Sequence, residues 1–531
     1  MDMSMRRAGN ESGGGEVRTT RRRNLLSVVV GTSTTSWAPG IRRRALLAVV
    51  GLCASTLMMQ DVRAQVEMQP DRPRAMAAPP LSKAVKRAVE ATYQSEEDAR
   101  DLRIFHGVWK ASDLNTPQRI ATAALVSGAV DDPALSMAEV DPLDRAEAAM
   151  LRGDLRETLA LLDAGRGAVA EPMRASRLRA ETLEMLGRFD EALAVAQEAS
   201  RTILLQKRAE ASDVVEAARA LTIAVRITGP ATKGSSADYK ALVALLDRVR
   251  NEQDRMYWPA LLAQAELLYE KDNSSEAGDV LKEVLSLNPS CAKAWAMLGQ
   301  LSVDAFNFDL MEAVAGRLDL LGSGRGGGHD PAEGEEGDGN GGVSIYAGIV
   351  RARAMLRQTD PDIAQSVLAP VLERYPKCRE ALAVACAVQA IRYDKSETDR
   401  VLGEFDRLSP GSPRGYFEVG RALSEARQYA MASPYLEEAH RRLPKWAAPV
   451  IDLGLMEVQS GRLDSALAAL EVAVGLDPFN VRADNSLKLV RELLTYAKIE
   501  SEHFTIRYKA GVDEVLARDM VPPLEEMYRV V

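Results

Sequence analysis

The sequence predicts an all-α fold in which repeats of 34 residues stack into a solenoid. Three observations carry that expectation. Pro413 to Asn480 holds two consecutive 34-residue blocks: Gly420, Tyr429, Ala432, Ala439 and Pro444 occupy block positions 8, 17, 20, 27 and 32, and Gly454, Leu463, Ala466, Ala473 and Pro478 repeat them. Pro376, Pro410, Pro444 and Pro478 follow one another at intervals of 34. Charged residues make up 27% of the chain and aromatics 5%, so the interior must be rich in Ala, Leu and Val, the residues that suit helix-on-helix packing.

A glycine inside a helix costs about 1 kcal/mol relative to alanine, so its recurrence at position 8 marks a place where backbones approach closely. Proline at position 32 lacks an N–H and disfavours a helical residue before it, which ends a helix and lets the chain turn. Leu476-Asp477-Pro478 is such a stop. A 34-residue period with small residues at 8, 20 and 27 and Pro at 32 resembles the tetratricopeptide repeat. The resemblance implies a helical hairpin per block, stacked into a one-dimensional array in which each hairpin touches only its neighbours.

Taken in order, residues 1–64 carry ten Arg against four acidic residues, a balance of +6 that leaves about −15 of the net −9 on the rest of the chain. Arg42-Arg43-Arg44, the apolar run Ala45 to Met59 and Val62-Arg63-Ala64 before Gln65 have the order of a bacterial-type signal peptide cleaved between Ala64 and Gln65. Retention of Ala45–Met59 as an inner-membrane anchor is the alternative. Residues 65–138 read as a tether, flexible over 65–82, followed by non-repeat helices at Ala84–Leu102 and Thr116–Val126, with His106 packed in an aromatic cluster between them. The first half of the array spans 139–321. Gly153 and Gly187 supply mid-hairpin turns 34 residues apart. An enlarged hairpin fills 207–257, with helices at Val214–Ile227 and Asp238–Asn251. Pro289, Trp295, Leu298 and Gly299 resume the phase. Residues 322–344, Gly-rich and acidic, are predicted to be a disordered linker. The second half of the array spans 345–480.

The resemblance also implies that the first helix of each hairpin lines a concave face. Mapped onto that face, Tyr346, Ile349, Arg353 and Arg357 lie in one block and Arg414, Phe417 and Arg421 in another. Aromatic and Arg side chains dominate interface energetics, so Tyr346, Arg353, Arg357, Arg414, Phe417 and Arg421 are the candidate groove for a protein or an extended acidic peptide. The same side chains also suit salt bridges within the array, to Glu418 or Glu425. Phe417 and Arg421 stand where Lys and Asn would clamp a chaperone's C-terminal carboxylate, which argues against that partner. The acidic body has no basic stripe and excludes nucleic acid as the expected partner. Cys53 sits in the apolar run, and Cys291, Cys378 and Cys386 sit at repeat-determined positions, so they read as packing residues rather than disulfides or metal ligands. No cofactor, metal or catalytic residue is expected.

Residues 481–531 begin with a closing helix, Ala483–Ala497. Glu502 to Tyr508 then alternates in a strand period and Asp513 to Tyr528 is helical. The motifs SEHFTIRY and LEEMY resemble the opening of a gluzincin-like metallopeptidase domain. In that family two His of a His-Glu-x-x-His helix hold zinc; His106, His329, His440 and His503 have no second His four residues away, so no catalytic residue carries over. The expectation is an exported, non-catalytic scaffold of the bacterial cell envelope or periplasm. The alternative is the front portion of a zinc metallopeptidase whose catalytic domain lies beyond Val531.

Overall fold

The computed structural model describes residues 75–91, 95–164, 171–206, 208–229, 237–323 and 343–530. The expected signal or anchor and most of the expected linker lie outside them. The chain divides into two units, of which the described parts are 75–494 and 495–530.

The first unit is all-helical. It opens with α1 (Lys83–Val89), α2 (Glu96–Phe105) and α3 (Pro117–Ser127). Helical hairpins follow: α4 (Pro142–Arg152) with α5 (Leu155–Ala164), α6 (Pro172–Met185) with α7 (Phe189–Leu205), and α8 (Ala211–Thr228) with α9 (Ala237–Arg248). Then come α10 (Trp258–Glu270) with α11 (Ser274–Leu287), α12 (Ala292–Asp304) with α13 (Phe308–Gly322), and α14 (Ile345–Arg357) with α15 (Pro361–Arg374). The series ends with α16 (Arg379–Ile391) and α17 (Lys395–Leu408), α18 (Arg414–Glu425) and α19 (Tyr429–Arg442), α20 (Ala447–Gln459) and α21 (Leu463–Leu476), and the single helix α22 (Val481–Leu494). The fold is thus the expected solenoid of helical hairpins. Among the described residues no helix is long and apolar enough to cross a membrane.

The small residues act as the period predicts. A Cβ on Gly420 would lie 2.7 Å from Leu436 Cγ, and one on Gly454 2.8 Å from Leu470 Cγ, so each hairpin closes on its own glycine. Trp295 is fully buried between hairpins and donates its Nε1–H to the Pro289 carbonyl at 2.9 Å. Helix α22 covers the last hairpin with Ala483, Leu487, Val490 and Leu493, all buried. Cys291, Cys378 and Cys386 are free and buried, and burial pushes the first two thiols up to about 11.

Eight of the nine hairpins also turn through a residue in the left-handed region. Gly153 and Gly187 do so, as do Asp272, Phe306, Thr359, Tyr393, Arg427 and Gly461. From Asp272 to Phe306, and again from Thr359 to Gly461, these residues recur every 34 positions. The turn geometry therefore belongs to the repeat, and glycine is not what sets it.

In this unit three expectations need correction. The array is not one-dimensional, because its early turns dock on loops roughly 200 residues later. A Cβ on Gly153 would meet the Lys377 carbonyl oxygen at 1.9 Å, and one on Gly187 the Pro410 carbonyl oxygen at 2.1 Å. Lys377 bonds Asp154 at 2.6 Å, and Arg379 Nη1 donates to the Gly153 carbonyl at 3.0 Å. Gly229 packs on Lys445. Lys271 bonds Asp477 at 2.8 Å, Asn480 bonds Asp272 at 2.8 Å, and Tyr239 stacks on Phe479. Mid-hairpin turns of one superhelical turn thus rest on inter-hairpin loops of the next, in rungs that advance along both segments.

Secondly, 75–82 is not a free tether. Met76 N–H bonds the Ala313 carbonyl and Ser82 N–H the Ser286 carbonyl, both at 2.8 Å, while Val85 is fully buried. Thirdly, the single helix expected at Ala84–Leu102 is two. Glu90 caps α1, and Ser95, accepting from Asp98 N–H, starts α2 afresh. His106 is where packing placed it, buried with Nδ1 2.9 Å from the Leu287 carbonyl.

The second unit is a two-stranded antiparallel hairpin, β1 (Ala497–Glu500) and β2 (Thr505–Tyr508), followed by α23 (Asp513–Val530). Its first strand takes Ala497, which the sequence reading gave to the closing helix. The expected strand at 502–508 shortens to 505–508.

Candidate interaction surface

The first helix of each hairpin (α4, α6, α8, α10, α12, α14, α16, α18, α20) contributes to the inner wall of the 75–494 unit. Two properties identify that wall. Tyr269, Tyr346, Arg353, Arg357, Arg421 and Asp452 keep partial contact with water. Yet protein surrounds several of them closely enough for burial to dominate their titration. Burial raises the Tyr269 and Tyr346 hydroxyls, and Arg421 feels the charges of Glu418 and Glu425 and, beside them, Tyr269 and Asp304. These groups thus keep some contact with water while protein surrounds them on most sides.

Neighbouring inner helices are stitched by ion pairs. Arg177, almost fully buried, bonds Glu147 at 2.9 Å, Glu181 at 3.0 Å and Glu216 at 2.6 Å. Arg226 contacts Glu184 at 2.7 Å and Glu270 at 3.6 Å. Lys293 holds Glu266 at 2.5 Å; burial would raise that carboxyl, but Lys293 and Arg219 outweigh it and hold it at about 2.

The candidate groove residues lie on this wall. Arg353 of α14 reaches Glu418 of α18 at 2.5 Å, and Arg421 bonds the other Glu418 oxygen at 3.1 Å. Burial pushes Glu418 up, but the two guanidinium groups outweigh it and hold the carboxyl below the usual range. Arg357 pairs with Glu425 at 2.9 Å and lies over the Phe306 ring at 4.4 Å. The cavity among Gln300, Arg353, Glu418, Arg421 and Glu425 is about 10 Å³, room for about one water. These three arginines are therefore tied up by the Glu418 and Glu425 pairs weighed as the alternative in the sequence.

Arg414, Phe417 and Trp446 form a separate stack. The Arg414 guanidinium lies 4.7 Å over the Trp446 ring, Trp446 stands edge-on to Phe417 at 4.8 Å, and Arg421 covers Phe417 at 5.7 Å. Phe417 and Trp446 are buried and Arg414 is exposed. Trp446 was not singled out in the sequence; its place one residue before an inner helix was the signal available.

In the second unit, His503 Nδ1 lies 2.6 Å from Glu525 Oε2, with Glu502 Oε1 4.0 Å from Nε2. Ser501 and the His503 N–H also bond Glu525, and these hydrogen bonds hold its carboxyl down at about 2. Glu502, His503 and Glu525 are close enough together to bridge a metal ion, although hydrogen bonds and the stacking of His503 on Tyr528 already account for their positions. The period of the sequence did not bring Glu525 to His503.

The fold and its inner wall define a helical-hairpin solenoid. Residues 418–481 match the tetratricopeptide repeat family model. No curated protein matches the chain in sequence. Among solved structures, the Cut9–Hcn1 hetero-tetramer of the APC/C is similar at 12% identity and a TM-score of 0.38, over 77% of this chain and 69% of that one. That likeness is too distant to bear on function.

Proposed function

We propose that this chain is a protein-binding scaffold that holds an extended segment of a partner along the inner wall of the 75–494 unit. The supporting observation is that wall itself: charged and aromatic side chains of successive inner helices, held in place by ion pairs and in partial contact with water. The tetratricopeptide match at 418–481 agrees with protein binding as its use. No catalytic role is assigned to any residue. The reading includes export to a bacterial cell envelope, which rests on Arg42 to Gln65 alone.

The test is selection of binders from a random octapeptide display library on the full chain, followed by hydrogen exchange with one synthetic binder. Protection of α14, α18 and α20 is expected. Protection confined to the second helices of the hairpins, or no binders at all, refutes the groove.

A second reading treats 495–531 as the opening of a metallopeptidase domain. It is favoured by the β1–β2 hairpin and α23 forming a unit of their own. A native polypeptide heavier than these 531 residues, carrying zinc-dependent peptidase activity, would support it; a native mass that ends at Val531 would remove it.

A further inference from the structure

The inner-wall arginines differ in one respect that decides where a partner's charge can go. Arg177, Arg226, Arg353, Arg357 and Arg421 each hold a carboxylate of this chain. Arg414 forms no ion pair with any described residue; part of the residue is open to water while its guanidinium lies against the Trp446 face, packed among protein atoms. Glu184, Glu380 and Glu270 act on Arg414 from a distance without forming an ion pair with it; Glu184 and Glu270 are shared with Arg226, and Arg226 itself repels it. Burial and that repulsion together lower the pKa of Arg414, as expected for a cation whose charge is not compensated. It is also the first residue of α18, where the helix dipole adds positive potential. Meanwhile Trp446, buried and braced by Phe417, fixes the guanidinium in place, so little side-chain entropy is left to lose on pairing.

Resting on the scaffold reading above, the geometry points to Arg414 as the subsite that takes a carboxylate of the partner, so that the bound segment carries an Asp or Glu side chain at that register. The assignment separates Arg414 from Arg353, Arg357 and Arg421. An incoming acid at those three would have to displace Glu418 or Glu425, whereas at Arg414 no ion pair with a described residue has to be broken.

The experiment uses the octapeptide library on the wild-type full chain, on Arg414→Gln, and on Arg400→Gln as a control on the exposed helix α17. Peptides selected on the wild type and on Arg400→Gln are expected to be enriched in Asp or Glu at one register. Arg414→Gln should lose the enrichment. One selected peptide and its Glu-to-Gln twin are then titrated by fluorescence anisotropy. The wild type should prefer the Glu form by about 10-fold or more, the range of a charge-assisted hydrogen bond, with Arg414→Gln treating the two alike. Circular dichroism should show Arg414→Gln folded, because the side chain makes no ion pair with any described residue. Binders without acidic enrichment, or a Glu preference that survives in Arg414→Gln, overturn the subsite and leave the groove standing. An absence of binders on every chain overturns both.

Discussion

Substituting Gly187 by alanine tests the docking of one superhelical turn on the next. Gly187 has φ +75°, and its Cβ would stand 2.1 Å from the Pro410 carbonyl oxygen and 3.0 Å from the Ser412 nitrogen. Gly411, in the loop it meets, has φ +80°, but its Cβ would find nothing closer than the Gly187 oxygen at 3.9 Å. Both substitutions pay the left-handed backbone penalty of about 1–2 kcal/mol. Only Gly187→Ala adds an overlap with backbone that cannot rotate away, which forces the two loops apart at a further cost of about 1–3 kcal/mol. The difference between the variants therefore isolates the docking. Urea unfolding followed by circular dichroism should show Gly187→Ala losing more stability than Gly411→Ala by about 1–3 kcal/mol. Hydrogen exchange should quicken at 186–190 and 409–413 in the first variant. Equal losses in the two variants would refute the claim that these loops are pressed together.

Three further outcomes are expected. Burial pushes the Asp452 carboxyl up to about 7, with Asp272 and Glu425 adding to it and Arg421 and Arg482 opposing it. The folded state therefore holds a proton that the unfolded chain releases near its ordinary 3.8, so this contribution is complete below about pH 4 and lost as pH rises through about 7. Asp452→Asn should raise the Tm at pH 8 and leave it nearly unchanged at pH 4.5; an equal rise at both would refute the assignment. Arg177→Met leaves Glu147, Glu181 and Glu216 facing one another, and should cost about 3–5 kcal/mol in urea unfolding at pH 7. That loss should shrink near pH 4, where the carboxylates can take up protons, and a pH-independent loss would point to packing instead. Finally, the protein isolated from its own cells should begin at Gln65 by N-terminal sequencing; an N-terminus upstream of Ala45 would count against cleavage.

The repeat was legible in the sequence because its constraints are local. Gly420 and Gly454 face side chains of their own hairpins, Leu436 and Leu470, and the prolines end helices within the same block. The left-handed turns were legible only where glycine marked them. Asp272, Phe306, Thr359, Tyr393 and Arg427 adopt the same geometry without a compositional signal. The contrast explains Gly153 and Gly187: the backbone conformation tolerates other residues, but a carbonyl from a distant loop leaves no room for a Cβ at these two positions. Contacts between residues more than 200 positions apart leave no periodic trace, so the docking itself could not be read. The break between α1 and α2 could have been, since Ser95 followed by Glu96, Glu97 and Asp98 is an N-terminal cap with an acidic first turn. At the candidate site the inward-facing residue types were legible. Which arginine already had a carboxylate was not, because Arg353 meets Glu418 across 65 residues of sequence.

The docked rungs bear on what the lumen can accept. A solenoid whose hairpins touch only their neighbours can widen by a small rotation at every repeat, and a bulky ligand then costs little at any one interface. In this chain a widening rotation would also separate Gly153 from Lys377, Gly187 from Pro410 and Lys271 from Asp477, so it must break several contacts at once. The ion pairs of Arg177 and Arg226 between adjacent inner helices, and those of Arg353 and Arg357 from α14 to α18, resist the same motion. An extended segment, which needs least width, is thus favoured over a helix as the guest. Loosening a rung should relax that preference. Gly187→Ala, if it parts the loops as its geometry requires, should admit helical peptides that the wild type rejects, with the carboxylate preference at Arg414 unchanged because Trp446 and Phe417 hold that side chain from within its own hairpins.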